Sequence, residues 1–267
     1  MGVDIGSASS KCVILKGIRG LRVGGEAAGD MPFVLDELVA QAVVHAGTGT
    51  AGPHRAVETA LSSAGISMDQ ISVVTATGYG RKTYDRADGS ISELSCHARG
   101  AAWILPGVRT VIDIGGQDAK ALSISDDGKL SNFVMNDKCA AGTGRFLEVM
   151  ARIFGMDVCE LAKHDENASD IVQISSTCTV FAESEVISQL AKNTPIPDLI
   201  AGIHNSAASR SAALLKRVGI VEPLLMTGGV ANNAGVVRAL ERTLGVVVRT
   251  SPYSQIAGAL GAALLVP

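Results

Sequence analysis

Residues 111–122, VIDIGGQDAKAL, repeat a pattern that first runs through residues 3–14, VDIGSASSKCVI. In each stretch an apolar strand ends in Asp-Ile-Gly, a polar turn follows, and a lysine stands seven residues after the aspartate. Asp4 thus pairs with Asp113, Gly6 with Gly115 and Lys11 with Lys120. Apolar runs on both sides of a glycine turn predict a strand–turn–strand hairpin at each place. An internal repeat of this kind predicts two related lobes, each offering an aspartate and turn N–H groups to a shared cleft. The boundaries that follow are 1–106 and 252–267 for the first lobe and 107–251 for the second.

The composition agrees with an α/β chain of two lobes. At 267 residues the chain exceeds one comfortable hydrophobic core. Hydrophobic residues make up 47%, aromatics only 3%, and there are 30 glycines, so the interior is expected to be built from Ala, Val, Leu and Ile. The formal net charge of −3 is small and dispersed, without the basic footprint of a nucleic-acid binder. The longest apolar runs, such as GALGAALLV at 258–266, fall short of a membrane span. The opening MGVDIGS has no basic region or cleavage site, which predicts a cytoplasmic protein. Five cysteines, an odd number without a C-x-x-C pair, argue against a disulfide framework and against a mononuclear zinc site. Thiols that bind metal here must converge from distant parts of the chain or from two chains.

Between the hairpins, 32–47 (PFVLDELVAQAVVHAG) fits both a helix, through Leu35, Leu38, Val39 and Ala42, and a Val-rich strand. Helices are expected over 54–64, 91–105 and 197–217, a strand over 71–78, and a small-residue helix at the C-terminal end. The segment NDKCAAGTGRF (136–146) leads into a helix with an apolar face of Phe146, Leu147, Met150, Ile153 and Phe154. Cys178 likewise precedes a helix, with an expected inner face of Val186, Ile187, Leu190 and Ala191 and with Glu183 and Glu185 near its first turn. PLLMTGGVANNAG (223–235) reads as strand, glycine turn and helix start. Only three residues precede Asp4, so a misassigned or trimmed start is expected, and 17–47 reads as an insertion in the first lobe.

Two facing Asp-Ile-Gly hairpins suit a nucleoside triphosphate. Main-chain N–H groups in glycine turns approach phosphate oxygens at little steric cost. Asp4 and Asp113 can hold Mg²⁺, mostly through water, since that ion dehydrates reluctantly. Gly228 and Gly229 then permit close approach on the adenosine side. For orienting the attacking water Gln117, beside Asp113, is preferred to Glu93. Tyr79 and Arg81 fit either a phosphate or interface role or a structural loop. Cys12, Cys96 and Cys159 read as buried structural thiols, and His97 as a helix-surface or core histidine.

The order DIGSASSK, DIGGQDAK, CAAGTGRF, MTGGVANN resembles the superfamily of acetate kinase, sugar kinases, heat-shock ATPases and actin. NDKCAAGTGRFLE and SSTCTVFAESEV narrow it, together resembling the ATP-dependent activators of 2-hydroxyacyl-CoA dehydratases. The resemblance also takes in ATGYGR (76–81), SELSCHARGA (92–101) and IAGIH (200–204). It implies two actin-like, ribonuclease H-like lobes around a nucleotide cleft. It further implies a homodimer with one bridging [4Fe-4S] cluster, to which each chain gives Cys139 and Cys178. The implied cofactors are that cluster, ATP/ADP and Mg²⁺. The implied nucleotide set is Gly6, Ser7, Ser10, Lys11, Gly115, Gly116, Lys120, Gly142, Thr143, Gly144, Gly228, Gly229 and Asn232. Asp4, Asp113 and Gln117 are the implied catalytic residues. A ferredoxin or flavodoxin is the implied electron donor and the dehydratase the acceptor, in an anaerobic setting. An ATPase subunit of a benzoyl-CoA reductase is the near alternative. A cluster-free kinase and an actin-like filament protein are more distant ones, and both leave the cysteine motifs unexplained.

Overall fold

The computed structural model describes residues 1–16, 21–22, 37–137, 139–175 and 178–266. In chain order the elements begin with β1 Gly2–Ile5, β2 Ser10–Lys16, β3 Leu21–Arg22, β4 Glu37–Val44, α1 Gly52–Ala64, β5 Thr75–Thr77, β6 Gly89–Ser90 and α2 Glu93–Ile104. There follow β7 Thr110–Ile114, β8 Ala119–Ile124, β9 Leu130–Asn136, α3 Gly144–Ile153, α4 Val158–His164, α5 Thr179–Ala191 and α6 Ile196–Val218. The chain closes with β10 Leu224–Thr227, α7 Ala234–Leu244, β11 Val248–Arg249, α8 Ala257–Leu264 and β12 Leu265–Val266. No helix among the described residues is long and apolar enough to cross a membrane.

Two compact units result. One comprises Met1–Pro106, Asp127–Leu130 and Ile256–Pro267, the other Gly107–Asp126 and Ser131–Gln255. The sheet of the first unit runs β4-β2-β1-β5-β6 and that of the second β9-β8-β7-β10-β11. Both have the same order, third-second-first-fourth-fifth, which is the arrangement of the actin-like α/β fold. The hairpins share a register as well: Asp4 lies opposite Lys11, and Asp113 opposite Lys120. The likeness extends beyond the hairpins, because β5 runs parallel to β1 with Thr77 beside Asp4, and β10 runs parallel to β7 with Thr227 beside Asp113. A separate parallel pair joins β3 to β12.

Each unit has its own core. In the first, Val3, Ile5, Cys12, Ile14, Ala56, Val57 and Ala76 pack together, and α8 lies on α2. In the second, Ile112, Ile114, Phe146, Leu147, Met150, Ile203, Met226, Val236 and Leu240 form the interior. Burying each of the larger side chains contributes about 1.5–3 kcal/mol, so the apolar stripe of α3 alone is a substantial anchor. Phe146, Leu147 and Met150 on that stripe are buried, with Ile153 and Phe154 packed at its edge.

Several expectations change. The ambiguous 32–47 segment is a strand where it is described: β4 pairs antiparallel with β2, Cys12 facing Ala42. Sheet pairing settles what side-chain spacing left open. Residues 17–20 and 23–36, the bulk of the expected insertion, lie outside the described residues. On α5 only Ala182 and Val186 are buried, whereas Ile187 is 51% exposed and Ala191 is exposed too. Its first turn carries no acid. Glu183 and Glu185 fall one turn later, where Glu185 accepts hydrogen bonds from Ser175 N–H at 3.1 Å and Ser175 Oγ at 3.0 Å. Helix α4 was not anticipated, although Asp157 and Glu160 carry a capping-box spacing and Glu160 accepts from Asp157 N–H at 2.7 Å.

Candidate functional site

The first hairpin places Asp4 in a closed, charge-balanced position. Its carboxylate is buried and pairs with Lys11 Nζ at 3.0 Å. The turn is closed by Gly6 N–H donating to Ser9 O at 3.0 Å. Ser7 is half-buried in the turn, while Ser10 is fully buried with its hydroxyl donating to Ala46 O at 2.7 Å. Ser10 therefore anchors the strand β2 to the chain after β4 and does not face the turn.

The second hairpin repeats this design with more partners. Asp113 accepts from Thr227 Oγ1 at 2.9 Å and lies 3.6 Å from Lys120 Nζ. Lys120 stands 2.6 Å from Asp118 Oδ2, and all three side chains are nearly closed to solvent. A buried charge needs such partners, so the lysine belongs to a compensated cluster. Gly115 N–H closes the turn onto Asp118 O at 2.9 Å, and Gln117 is exposed at its tip. Thr227 and Asp118 were not singled out in the sequence. The D-x-x-x-x-D-x-K spacing was the available signal for Asp118.

Two glycines cap these aspartates in matching positions. Gly78, with φ of +84°, follows β5, and Gly228, also at +84°, follows β10. A Cβ on Gly78 would lie 2.5 Å from Asp4 Oδ1, and one on Gly228 would lie 2.9 Å from Asp113 Oδ1 and 2.3 Å from Ile114 O. Both positions demand glycine for handedness and for room. Gly78 was missed as a site residue although it stands in ATGYGR. Beyond Gly228, Gly229 and Asn232 are exposed, and Asn232 Nδ2 donates to Gln255 Oε1 at 3.0 Å.

The glycine-rich segment after Cys139 is bonded to the second hairpin turn. Gly144 N–H donates to Gly115 O at 2.9 Å and Arg145 N–H to Gly116 O at 2.8 Å. Thr143, fully buried, places its hydroxyl 3.1 Å from Gly116 O and 2.6 Å from Ala140 O. The first N–H groups of α3 thus meet carbonyls of the turn rather than lying open. Gly142 is buried with φ of +84°.

Cys139 and Cys178 are both exposed and outside any disulfide. Cys178 is the N-cap residue of α5, and its side chain makes no cap hydrogen bond. Cys139 lies upstream of Thr143, the N-cap of α3, so the helix end itself does not reach it. Its carbonyl instead accepts from Asn136 Nδ2 at 3.2 Å. Cys12 and Cys96 are buried, and burial pushes each thiol up to about 12. Cys159, expected to be buried, is exposed on α4, because the inner face of that short helix is taken by Leu161 and Ala162. His97 is a buried residue of α2.

Away from the turns, Asp165 joins three helices of the second unit. It accepts from His204 Nδ1 at 2.7 Å and pairs with Arg238, which also reaches Glu166 at 3.1 Å and Ala162 O at 2.9 Å. Burial pushes the Asp165 carboxyl up, but the hydrogen bonds and charges of His204 and Arg238 outweigh it and hold the group below its ordinary value.

Known proteins resemble the chain over nearly its whole length. Residues 1–266 match the model of the BadF/BadG/BcrA/BcrD ATPase family. The chain is 52% identical over 265 residues to the (R)-2-hydroxyglutaryl-CoA dehydratase activating ATPase of Acidaminococcus fermentans, covering 99% of this chain and 95% of the relative. It is 51% identical over 264 residues to the activator of lactoyl-CoA dehydratase of Anaerotignum propionicum, covering 99% and 95%. It also superimposes on the solved activator of the 2-hydroxyisocaproyl-CoA dehydratase from Clostridium difficile with bound ADPNP. There the TM-score is 0.89 at 51% identity, with 98% of this chain and 92% of that one covered.

Proposed function

We propose that this chain, which belongs to the BadF/BadG/BcrA/BcrD ATPase family, is an ATP-dependent one-electron donor that activates a 2-hydroxyacyl-CoA dehydratase. The observation that carries the reading is the hydrogen-bonded join between the Gly115–Gly116 turn and the segment after Cys139, within the unit that also exposes Cys178. Such a join is what a protein needs if a nucleotide is to influence a redox group.

The residues suit an iron–sulfur cluster. Cys139 and Cys178, two exposed thiols of which the second stands at a helix start, make half of a four-thiolate set. Two copies complete it. Next to Cys178, α5 shows Val180, Phe181 and Ile187 at 65%, 68% and 51% exposure, an apolar face that a second copy would cover. A [4Fe-4S] cluster held there would supply a one-electron carrier between a ferredoxin or flavodoxin and the dehydratase.

The chain's own residues bind and orient the nucleotide. Turn-closing bonds take the N–H groups of Gly6 and Gly115, so Ser7, Gly116 and Gln117 are assigned to the phosphate oxygens. Lys11 balances Asp4 and Lys120 balances Asp113, and Asp113 is assigned to the hydrated Mg²⁺. Gln117, exposed at the turn tip, is assigned to the attacking water. Gly228, Gly229 and Asn232 are assigned to the adenosine, and Gly142, Thr143 and Gly144 act behind the turn.

The test is iron and acid-labile sulfide content after anaerobic purification, with the mass of the assembly and ATP-dependent activation of a dehydratase. A dimer with one four-iron cluster, lost in Cys139→Ala and Cys178→Ala, is the expected result. An iron-free protein, or activation untouched by Cys139→Ala, overturns the reading.

A further inference from the structure

We propose that Thr143 is a positioning residue that couples the Gly115–Gly116 turn to the loop carrying Cys139. The side-chain part of this coupling, which joins the two carbonyls directly, rests on a single hydroxyl proton. Thr143 Oγ1 lies within hydrogen-bond distance of two carbonyl oxygens, Gly116 O at 3.1 Å and Ala140 O at 2.6 Å. One belongs to the hairpin turn and the other to the residue after Cys139. A hydroxyl has one proton, so its donation is shared between the two and a small shift of the turn redistributes it. Thr143 is fully buried, so water does not compete for that proton. The surrounding backbone holds the hydroxyl in place: Thr143 N–H donates to Ala140 O at 3.0 Å, and the next two N–H groups donate to Gly115 O and Gly116 O.

The division of labour follows from these bonds. The N–H groups of Gly144 and Arg145 tie helix α3 to the turn, whereas Thr143, alone among the described residues, bonds both the turn and the Cys139 side of the loop. When a nucleotide orders the turn, α3 therefore responds through its backbone and the Cys139 loop responds through the Thr143 hydroxyl. A methyl in place of the hydroxyl keeps the shape of the side chain and cuts only the second route.

The inference rests on the reading of this chain as an ATP-binding protein whose Cys139 holds the redox group. Amide hydrogen exchange on the full-length protein, with and without saturating ADPNP, tests it for the wild type, Thr143→Val and Thr143→Ser. Thermal unfolding confirms that each variant is folded. In the wild type, ADPNP is expected to slow exchange at Gly116 and Gln117 and also across 139–143. In Thr143→Val the slowing at Gly116 and Gln117 persists and that across 139–143 is lost. Thr143→Ser restores it. A purely structural threonine would raise exchange in the valine variant equally with and without nucleotide, which overturns the proposal. So does slowing across 139–143 that survives in Thr143→Val, or that is missing in the wild type while the turn is protected. Absence of any ADPNP effect at the turn in the wild type instead overturns the ATP reading itself.

Discussion

The Nδ1 atom of His204 lies 2.7 Å from Oδ2 of Asp165, with both side chains shut off from solvent. A carboxylate only accepts, so the imidazole donates through Nδ1. Arg238 takes the other carboxylate oxygen, and the three residues join the segment after α4 to α6 and α7. Asp165→Ala leaves the buried His204 donor without its acceptor, while Arg238 keeps Glu166 and Ala162 O, which is expected to cost about 1–3 kcal/mol. The same carboxyl gives an acid limb. Its folded value is held below the ordinary 3.8, so the stabilisation is present in full above the ordinary value and is lost as the pH falls from there through the lower folded value. Denaturant unfolding between pH 7 and pH 3 is expected to show this loss in the wild type and a flatter limb in Asp165→Asn.

Gly228→Ala is expected to be destabilising by about 1–3 kcal/mol, from a left-handed alanine and a backbone that must shift. The displaced atom is Ile114 O, at the end of the strand that carries Asp113, so ADPNP affinity is expected to fall at least about tenfold, or 1.4 kcal/mol. Gly78→Ala is expected to act alike through Asp4 and Ile5. Calorimetric titration with ADPNP checks both. Unchanged affinity in both variants would remove the two glycines from the site.

In iron-free native protein, Cys139, Cys159 and Cys178 are expected to react with a small aromatic disulfide, while Cys12 and Cys96 stay silent until unfolding. The silent pair also predicts an alkaline limb. Their thiols stay protonated in the fold up to about 12 but ionise in the unfolded chain near 9.0, so stability falls as the pH rises between those values. Counting released thiolate, with and without denaturant, reads both effects.

Phe181→Asp places a charge on a side chain that is 68% exposed. Folding stability of the isolated chain is expected to stay within about 0.5 kcal/mol of the wild type. Assembly is expected to fail, because the charge would be buried against the second copy's apolar face. Light scattering gives the mass. A Phe181→Asp protein that is still a dimer with its iron intact would exclude α5 from the interface.

The two hairpins, their repeat, and the helices that follow Cys139 and Cys178 are legible in the amino-acid order alone. These rest on local physics: alternation of apolar residues, the turn chemistry of Asp-Ile-Gly, and three-to-four-residue spacing of apolar side chains. Buried Cys12 and Cys96 were equally legible. The remaining features depend on residues far apart in the chain. Pairing with β2 made 37–44 a strand, when its own spacing allowed a helix. The packing around α5 left Ile187 outside and Val186 inside, a distinction that adjacent apolar residues do not carry in themselves. Gly78 matched Gly228 only once β5 lay beside β1. Thr143, set among phosphate-type glycines in the sequence, turned its hydroxyl to main-chain carbonyls because the helix start folds against the hairpin turn. A glycine-rich segment specifies how closely backbones can approach. Which backbone it meets is decided by the fold.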